Sequence, residues 1–100
     1  MSCNIYITPA AINDIDEAVN YYNEKVTDLG FKFADDVDDN FTAIAQNPNA
    51  FTERYNNVRD KLLRRFPYLI LYKTNHNTQN IEVIRLFNTY QNPYWGKASV

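Results

Sequence analysis

The segment from Arg64 to Tyr72 constrains the fold of this chain more than any other part of the sequence. It reads Arg-Arg-Phe-Pro-Tyr-Leu-Ile-Leu-Tyr, two basic residues followed by apolar and β-favouring side chains. Pro67 has no N–H to give to a neighbouring strand, so it is expected at a strand start or a sheet edge. The segment predicts a buried strand from Tyr68 to Lys73, with the basic residues before it as candidates for chemistry or recognition.

A first amphipathic helix is predicted upstream of this strand. Thr8 is suited to cap it and Pro9 to occupy its first position, where a missing N–H has no cost. Apolar residues then recur at spacings of three and four, at Ile12, Ile15, Val19, Tyr22 and Val26. We expect Leu29-Gly30 to end the helix with a residue that can take a positive φ.

A second helix follows and is stopped by Asn47-Pro48. Its apolar stripe consists of Phe33, Val37, Phe41 and Ile44. Four acidic residues flank the stripe, Asp35, Asp36, Asp38 and Asp39. Because these side chains point in several directions around a helix, they cannot converge on one metal ion, and we expect them to form a solvated face.

The remaining segments predict strands. Residues 4–7 form a first strand, 48–57 a loop, 58–66 and 68–73 two strands, 74–80 a polar hairpin loop and 81–87 the last strand, with irregular chain from Asn88 onward. The order β-α-α-β-β-β predicts one α+β domain over residues 1–100, with a helical hairpin packed on an antiparallel sheet.

Charge is distributed unevenly along the chain. Residues 1–53 carry ten acids and two bases, a net charge of −8, whereas residues 54–100 carry eight bases and two acids, a net charge of +6. This asymmetry favours two surfaces with different partners, although solvated charges on helices and strand ends would give the same pattern. A single cysteine, Cys3, and the lack of a signal-like or membrane-spanning stretch predict a cytoplasmic protein without a disulfide.

Several of these residues together resemble the RelE/ParE toxin superfamily of type II toxin–antitoxin modules, and most closely its ParE, or plasmid-stabilisation, branch. The most specific part is Arg65-Phe66-Pro67-Tyr68-x-Ile70-x-Tyr72, supported by Thr8-Pro9, Tyr21-Tyr22, Leu29-Gly30, Asn47-Pro48 and Pro93-Tyr94-Trp95. The resemblance implies a small bacterial toxin that is neutralised by a cognate antitoxin, as a homodimer or in a hetero-oligomer with it. RelE-like members cleave messenger RNA on the ribosome, whereas ParE-like members inhibit DNA gyrase without being hydrolases.

The residues that RelE-like chemistry would need are not recognisable here. Leu69 occupies the strand position after Tyr68 where a phosphate-binding cation would stand, and the segment after the last strand, Asn88-Thr89-Tyr90-Gln91, carries no base. In many ParE-like sequences a His and an Arg stand where this chain has Asn88 and Gln91, so the chain departs from its nearer branch as well. We therefore expect a ParE-like toxin that binds gyrase, needs no metal or cofactor and is not an enzyme. A ribosome-dependent endoribonuclease with an unfamiliar residue set and a degenerate toxin that only binds its antitoxin remain alternatives.

The candidate binding residues are basic and aromatic. Arg59, Arg65 and Arg85 are expected to form a basic surface for an acidic antitoxin segment or for the target, with surface ion pairs as the alternative role. Tyr90 and Trp95 are further candidates for binding the target or the antitoxin, and could stack on bases. Aromatic residues near a C-terminus also commonly close the edge of a core, which is the alternative role. His76 is expected to be a solvated loop residue.

Overall fold

The structure, a computed structural model, describes residues 4–75 and 77–90. The elements in chain order are β1 (Asn4–Ile7), α1 (Pro9–Lys25), α2 (Leu29–Gln46), β2 (Glu53–Tyr55), β3 (Val58–Leu62), β4 (Tyr68–Asn75) and β5 (Asn80–Asn88). The predicted α+β fold, with an N-terminal strand and a helical hairpin ahead of the other strands, is confirmed. Neither helix of the described chain is long and apolar enough to cross a membrane.

The strands form one sheet in the order β1-β5-β4-β3-β2. The pairs among β2, β3, β4 and β5 are antiparallel, as predicted, whereas β1 joins the edge of β5 in parallel. β1 pairs only with the first half of β5, from Asn80 to Val83. The second half of β5 is therefore left for α1 to cover.

Thr8 fixes the junction between β1 and α1. Its backbone N–H donates to Val83 O at 3.1 Å, and its hydroxyl donates to Ile84 O at 2.9 Å. The same hydroxyl accepts from the Ala11 N–H at 3.2 Å, so the predicted N-cap is confirmed. One side chain thus both starts the helix and attaches it to β5.

The predicted stripe of α2 is confirmed, since all four of its apolar residues are buried in the core. The stripe of α1 is partly wrong. Ile15, Val19 and Tyr22 pack against the core, but Ala11 and Ala18 are its fully buried residues, and Ile12 and Val26 are exposed. The buried face of α1 is centred on Ala11 and Ala18 rather than on the predicted stripe. Val26 lies past the end of the helix, in extended backbone.

The turn between the helices also differs from the prediction. Asp28, not Gly30, takes the left-handed conformation, with φ 67°. Gly30 already lies inside α2, where its N–H donates to the Asn23 side chain at 2.8 Å. The glycine is needed for the close approach of the two helices rather than for the turn.

Two strand boundaries depart from the prediction. β2 lies within the predicted loop 48–57, where it pairs with β3. β3 ends at Leu62 rather than residue 66, because Leu63 turns into the core and the chain bends from Arg64 to Pro67. β4 in turn extends to Asn75, opposite Asn80.

The acidic run on α2 is solvated except at one position. Asp35, Asp38 and Asp39 are exposed as expected, but Asp36 is only 4% exposed. Its carboxylate accepts from Arg65 N at 3.0 Å and from Asn40 Nδ2 at 3.2 Å. The expectation of a uniformly solvated face is wrong here, since these donors compensate the burial of the carboxylate.

Candidate functional site

Arg85 on β5 is held by a carboxylate of α1. Its Nε lies 2.7 Å from Asp14 Oδ2 and its terminal nitrogen 3.1 Å from Asp14 Oδ1, a two-point contact. The hydrogen bond that Arg85 donates to Asp14 raises the pKa of Arg85, against the opposing effect of burial. Asp14 Oδ2 also accepts from the Leu86 N–H at 3.0 Å, so this carboxylate caps the part of β5 that β1 leaves unpaired.

A cleft of about 400 Å³ opens beside this ion pair, between α1 and β5. Its lining, which we call the α1–β5 cleft, combines charged and aromatic side chains, namely Asp14, Glu17, Tyr21, Tyr68, Arg85 and Phe87, with Asn88 at its end. The Arg85 guanidinium lies 5.5 Å from the centroid of the Phe87 ring. Such a mixture of paired charges and aromatic walls suits contact with a peptide or protein surface.

The side chain of Arg59 on β3 is engaged in contacts within the domain. Its side chain is 13% exposed, and one terminal nitrogen donates to Phe51 O at 2.7 Å and Asn49 O at 3.3 Å. A second contact, at 3.4 Å, joins it to Glu53. Arg59 thus fastens the segment before β2 to the sheet.

The three candidate arginines do not share one surface. Arg59 lies opposite Tyr72 in the sheet register and Arg85 lies opposite Leu71. Because neighbouring residues of a strand point to opposite faces, Arg59 and Arg85 are on opposite sides of the sheet. Arg65 is exposed in the bend between β3 and β4.

Of the two aromatic candidates, only Tyr90 lies within the described residues. Tyr90 is 83% exposed just after β5, and its N–H donates to the Asn88 side chain at 2.8 Å. Trp95 and Gln91 lie outside the described residues, as does His76. Within the described chain, Tyr90 is the candidate most accessible to a partner.

Two tyrosines, the buried Tyr72 and the half-buried Tyr22, bear on what chemistry the domain can perform. Burial raises the pKa of Tyr72 to about 12, and its hydroxyl donates to Pro48 O at 2.8 Å. Burial, with the neighbouring Tyr68, also raises the pKa of Tyr22 to about 12. Both phenols therefore stay protonated near neutral pH, where neither is suited to act as a general base.

Sequence reasoning missed the two carboxylates that organise these positions. Nothing in the sequence around Asp14 singles it out, and Asp36 belongs to an acidic run that the sequence alone assigns to solvent. Their partners are 71 and 29 residues away in the chain, so no local pattern identifies them. A larger cleft, of about 930 Å³, lies at the β4–β5 hairpin end of the sheet, and none of the candidate residues in the described chain lines it.

Comparison with known proteins agrees with this architecture. A structure of the chromosomal ParDE toxin–antitoxin system from P. aeruginosa aligns with a TM-score of 0.74 and 18% identity, covering 87% of this chain and 96% of that one. The toxin–antitoxin complex RelBE2 from Mycobacterium tuberculosis aligns with a TM-score of 0.57 and 13% identity, covering 88% and 99%. A search of curated proteins gives no match.

The sequence itself matches a protein family. Residues 5–93 fit the family model described as ParE toxin of type II toxin–antitoxin system, parDE. This match includes the strand after Pro67, the helical hairpin and every element of the described sheet. The chain therefore belongs to the ParE toxin family of type II toxin–antitoxin systems.

Proposed function

We propose that this toxin acts by binding a cellular target such as DNA gyrase, and that a cognate antitoxin neutralises it. The solved structures that it resembles are toxin–antitoxin systems, which supports an antitoxin as partner. The chemistry of the site supports binding of a target rather than cleavage of RNA.

The observation that carries the proposal is the pairing of Arg85 with Asp14. Cleavage of RNA needs a cation free to stabilise charge on the phosphate and groups that transfer protons. In the α1–β5 cleft the guanidinium of Arg85 already has a carboxylate partner at 2.7 Å, and Leu69 is a buried apolar residue on β4. The exposed Arg64 and Arg65 lie outside this cleft, in the bend between β3 and β4. Arg85 and the exposed Tyr21 and Tyr90 suit a binding surface, because arginine and aromatic residues are enriched in protein interfaces.

The test is induction of the chain in a bacterial host, with growth, message integrity and plasmid supercoiling measured in the same culture. We expect growth arrest, altered supercoiling and intact messages, and inhibition of gyrase supercoiling by the purified protein. Cut messages would instead establish the ribosome-dependent nuclease. Soluble expression without growth arrest would contradict the toxin mechanism and favour the degenerate chain, with Asn88 and Gln91 as the first positions to restore.

Two tyrosine variants locate the target surface. Tyr90 is 83% exposed beside the α1–β5 cleft, whereas Tyr6 is 58% exposed on β1, at the edge strand of the sheet. Tyr90→Ala should weaken gyrase inhibition, and the matched variant Tyr6→Ala should retain it. Equal inhibition by both variants would place the target surface elsewhere.

A further inference from the structure

The bend between β3 and β4 presents a basic group with no acidic side chain paired to it among the described residues. It consists of Lys61, at the end of β3, and Arg64 and Arg65, and we call it the basic turn. Within residues 4–75 and 77–90, the side chains of Arg64 and Arg65 form no ion pair or hydrogen bond. Lys61 Nζ lies over the Phe51 ring, 5.0 Å from its centroid.

The backbone of the basic turn is fixed from several sides. Arg65 N donates to Asp36 at 3.0 Å, Leu63 N to Tyr68 O at 2.9 Å, and Thr89 N to Pro67 O at 2.8 Å. Phe66 packs its ring into a cluster with Tyr22 and Phe33, at centroid distances of 4.9 and 5.1 Å. The two arginines therefore project from a rigid support, which lowers the entropy lost when a ligand binds.

The nearby carboxylate of Asp36 offsets only part of this charge and forms no ion pair with it. Asp36 is buried, and its two oxygens accept from Arg65 N and Asn40 Nδ2. The pKa of Lys61 is lowered, first by burial and then by the charge of Arg64, with Asp36 acting in the opposite direction. The three cations of the basic turn therefore outnumber the one buried carboxylate beside them, that of Asp36.

Acidic residues on α2 limit the kind of anion that fits. Asp35, Asp38 and Asp39 are exposed within a helical turn of Asp36, which contacts the basic turn. A long polyanion such as a nucleic acid strand that extends from the bend along α2 passes these acids, and like charges repel within the Debye length of about 8 Å at physiological salt. A short anionic segment can contact the cations without passing over these acids.

We propose that the basic turn binds a short acidic peptide segment supplied by the antitoxin. This inference rests on the proposed function for the identity of the partner, and it names the surface that receives the peptide. Arg64 and Arg65 form the direct contacts, Lys61 adds charge from the side, and Asp36 is a positioning residue that holds the bend.

The experiment measures binding of a short fluorescent oligoglutamate peptide to the full chain by anisotropy, at low salt. The double variant Arg64→Gln/Arg65→Gln is compared with Lys25→Gln/Lys73→Gln, which removes the same charge from exposed lysines outside the turn. We expect the turn variant to weaken binding by about fivefold or more, since two exposed ion pairs are lost, and the control by about twofold at most. Urea unfolding should show both variants folded.

Three results would overturn the inference: no binding by the wild-type chain, an equal loss in both variants, or tighter binding of a single-stranded oligonucleotide of the same charge. Failure here is separable from failure of the proposed function, because the growth assay uses the wild-type chain without peptide. A toxic chain that ignores the peptide refutes only this inference. A non-toxic chain that binds the peptide at the turn refutes only the toxin mechanism.

Discussion

Asp14 and Arg85, 71 residues apart in the chain, are joined by two hydrogen bonds across the junction of α1 and β5. Asp14 Oδ2, which accepts from Arg85 Nε, also accepts from the Leu86 N–H at 3.0 Å. Asp14 therefore bonds both a side chain and the backbone of β5, whereas the Arg85 guanidinium contacts the Asp14 carboxylate and the Phe87 ring. The two residues should contribute unequally to stability.

We expect Asp14→Ala to lower the free energy of unfolding by about 1–3 kcal/mol, because it leaves the Leu86 N–H without its acceptor. Arg85→Ala should cost only about 0–1 kcal/mol, since nearly half of that side chain is exposed and water screens the pair. Urea unfolding of the two single variants and the double variant measures both costs and their coupling. A cost for Arg85→Ala equal to that of Asp14→Ala would show that the ion pair, not the backbone contact, is the stabilising part.

The features that could be predicted from the sequence are those set by local chemistry. The Thr8 cap depends on residues three positions apart, and the stripe of α2 depends on helical spacing that the buried Phe33 and Ile44 confirm. The strand after Pro67 follows from β-favouring side chains. Each of these patterns lies within a few residues of the chain.

The features that could not be predicted depend on contacts between distant segments. The burial of Asp36 requires the bend at Arg65, 29 residues away, and Arg59 is held by the segment before β2. Whether an arginine is free or paired is decided by such contacts. The sequence therefore identified the basic candidates. It could not show that Arg59 and Arg85 form ion pairs while the side chain of Arg65 is exposed.

Phe31 and Phe33 provide a matched pair on α2. Phe33 is 0% exposed, with ring centroids of Tyr22, Phe66 and Tyr68 at 5.3, 5.1 and 4.9 Å, whereas Phe31 is 62% exposed. Phe33→Ala should cost about 3–5 kcal/mol, a large part of the stability of such a domain. Phe31→Ala should stay within about 0.5 kcal/mol of wild type by urea unfolding. A large loss for Phe31→Ala in the isolated chain would contradict its exposed position.

Stability should fall in alkaline solution because of Tyr72 and Tyr22. The pKa of each is raised to about 12 in the folded chain, against about 10 in an unfolded chain. The folded state thus holds these protons more tightly, so their contribution is complete below about pH 10 and is lost as the pH rises toward 12. Urea midpoints measured from pH 8 upward should show this decline.

Tyr72→Phe separates the hydrogen bond of Tyr72 from the titration of its phenol. The variant loses the hydrogen bond to Pro48 O, which should cost about 0.5–1.5 kcal/mol at neutral pH. Its stability should then decline less steeply above pH 10 than that of the wild type. Tyr6→Phe removes an exposed phenol and is the control, expected to keep the wild-type decline. An unchanged slope in Tyr72→Phe would mean that this phenol does not supply the linkage.

Gly30 tests how closely α1 and α2 approach each other. A Cβ at this position would lie 2.4 Å from Val19 O and 2.6 Å from Asn23 Cγ. Alanine is the better helix former by about 1 kcal/mol, so on propensity alone Gly30→Ala would stabilise α2. Because the first obstacle is backbone, we expect the steric cost to prevail and the variant to lose about 1–3 kcal/mol. Lys32→Ala, at an exposed position of the same helix, should differ from wild type by no more than about 0.5 kcal/mol in the same urea titration. If Gly30→Ala proved more stable than wild type, the helices would have room to separate, and the glycine would not be required by their packing.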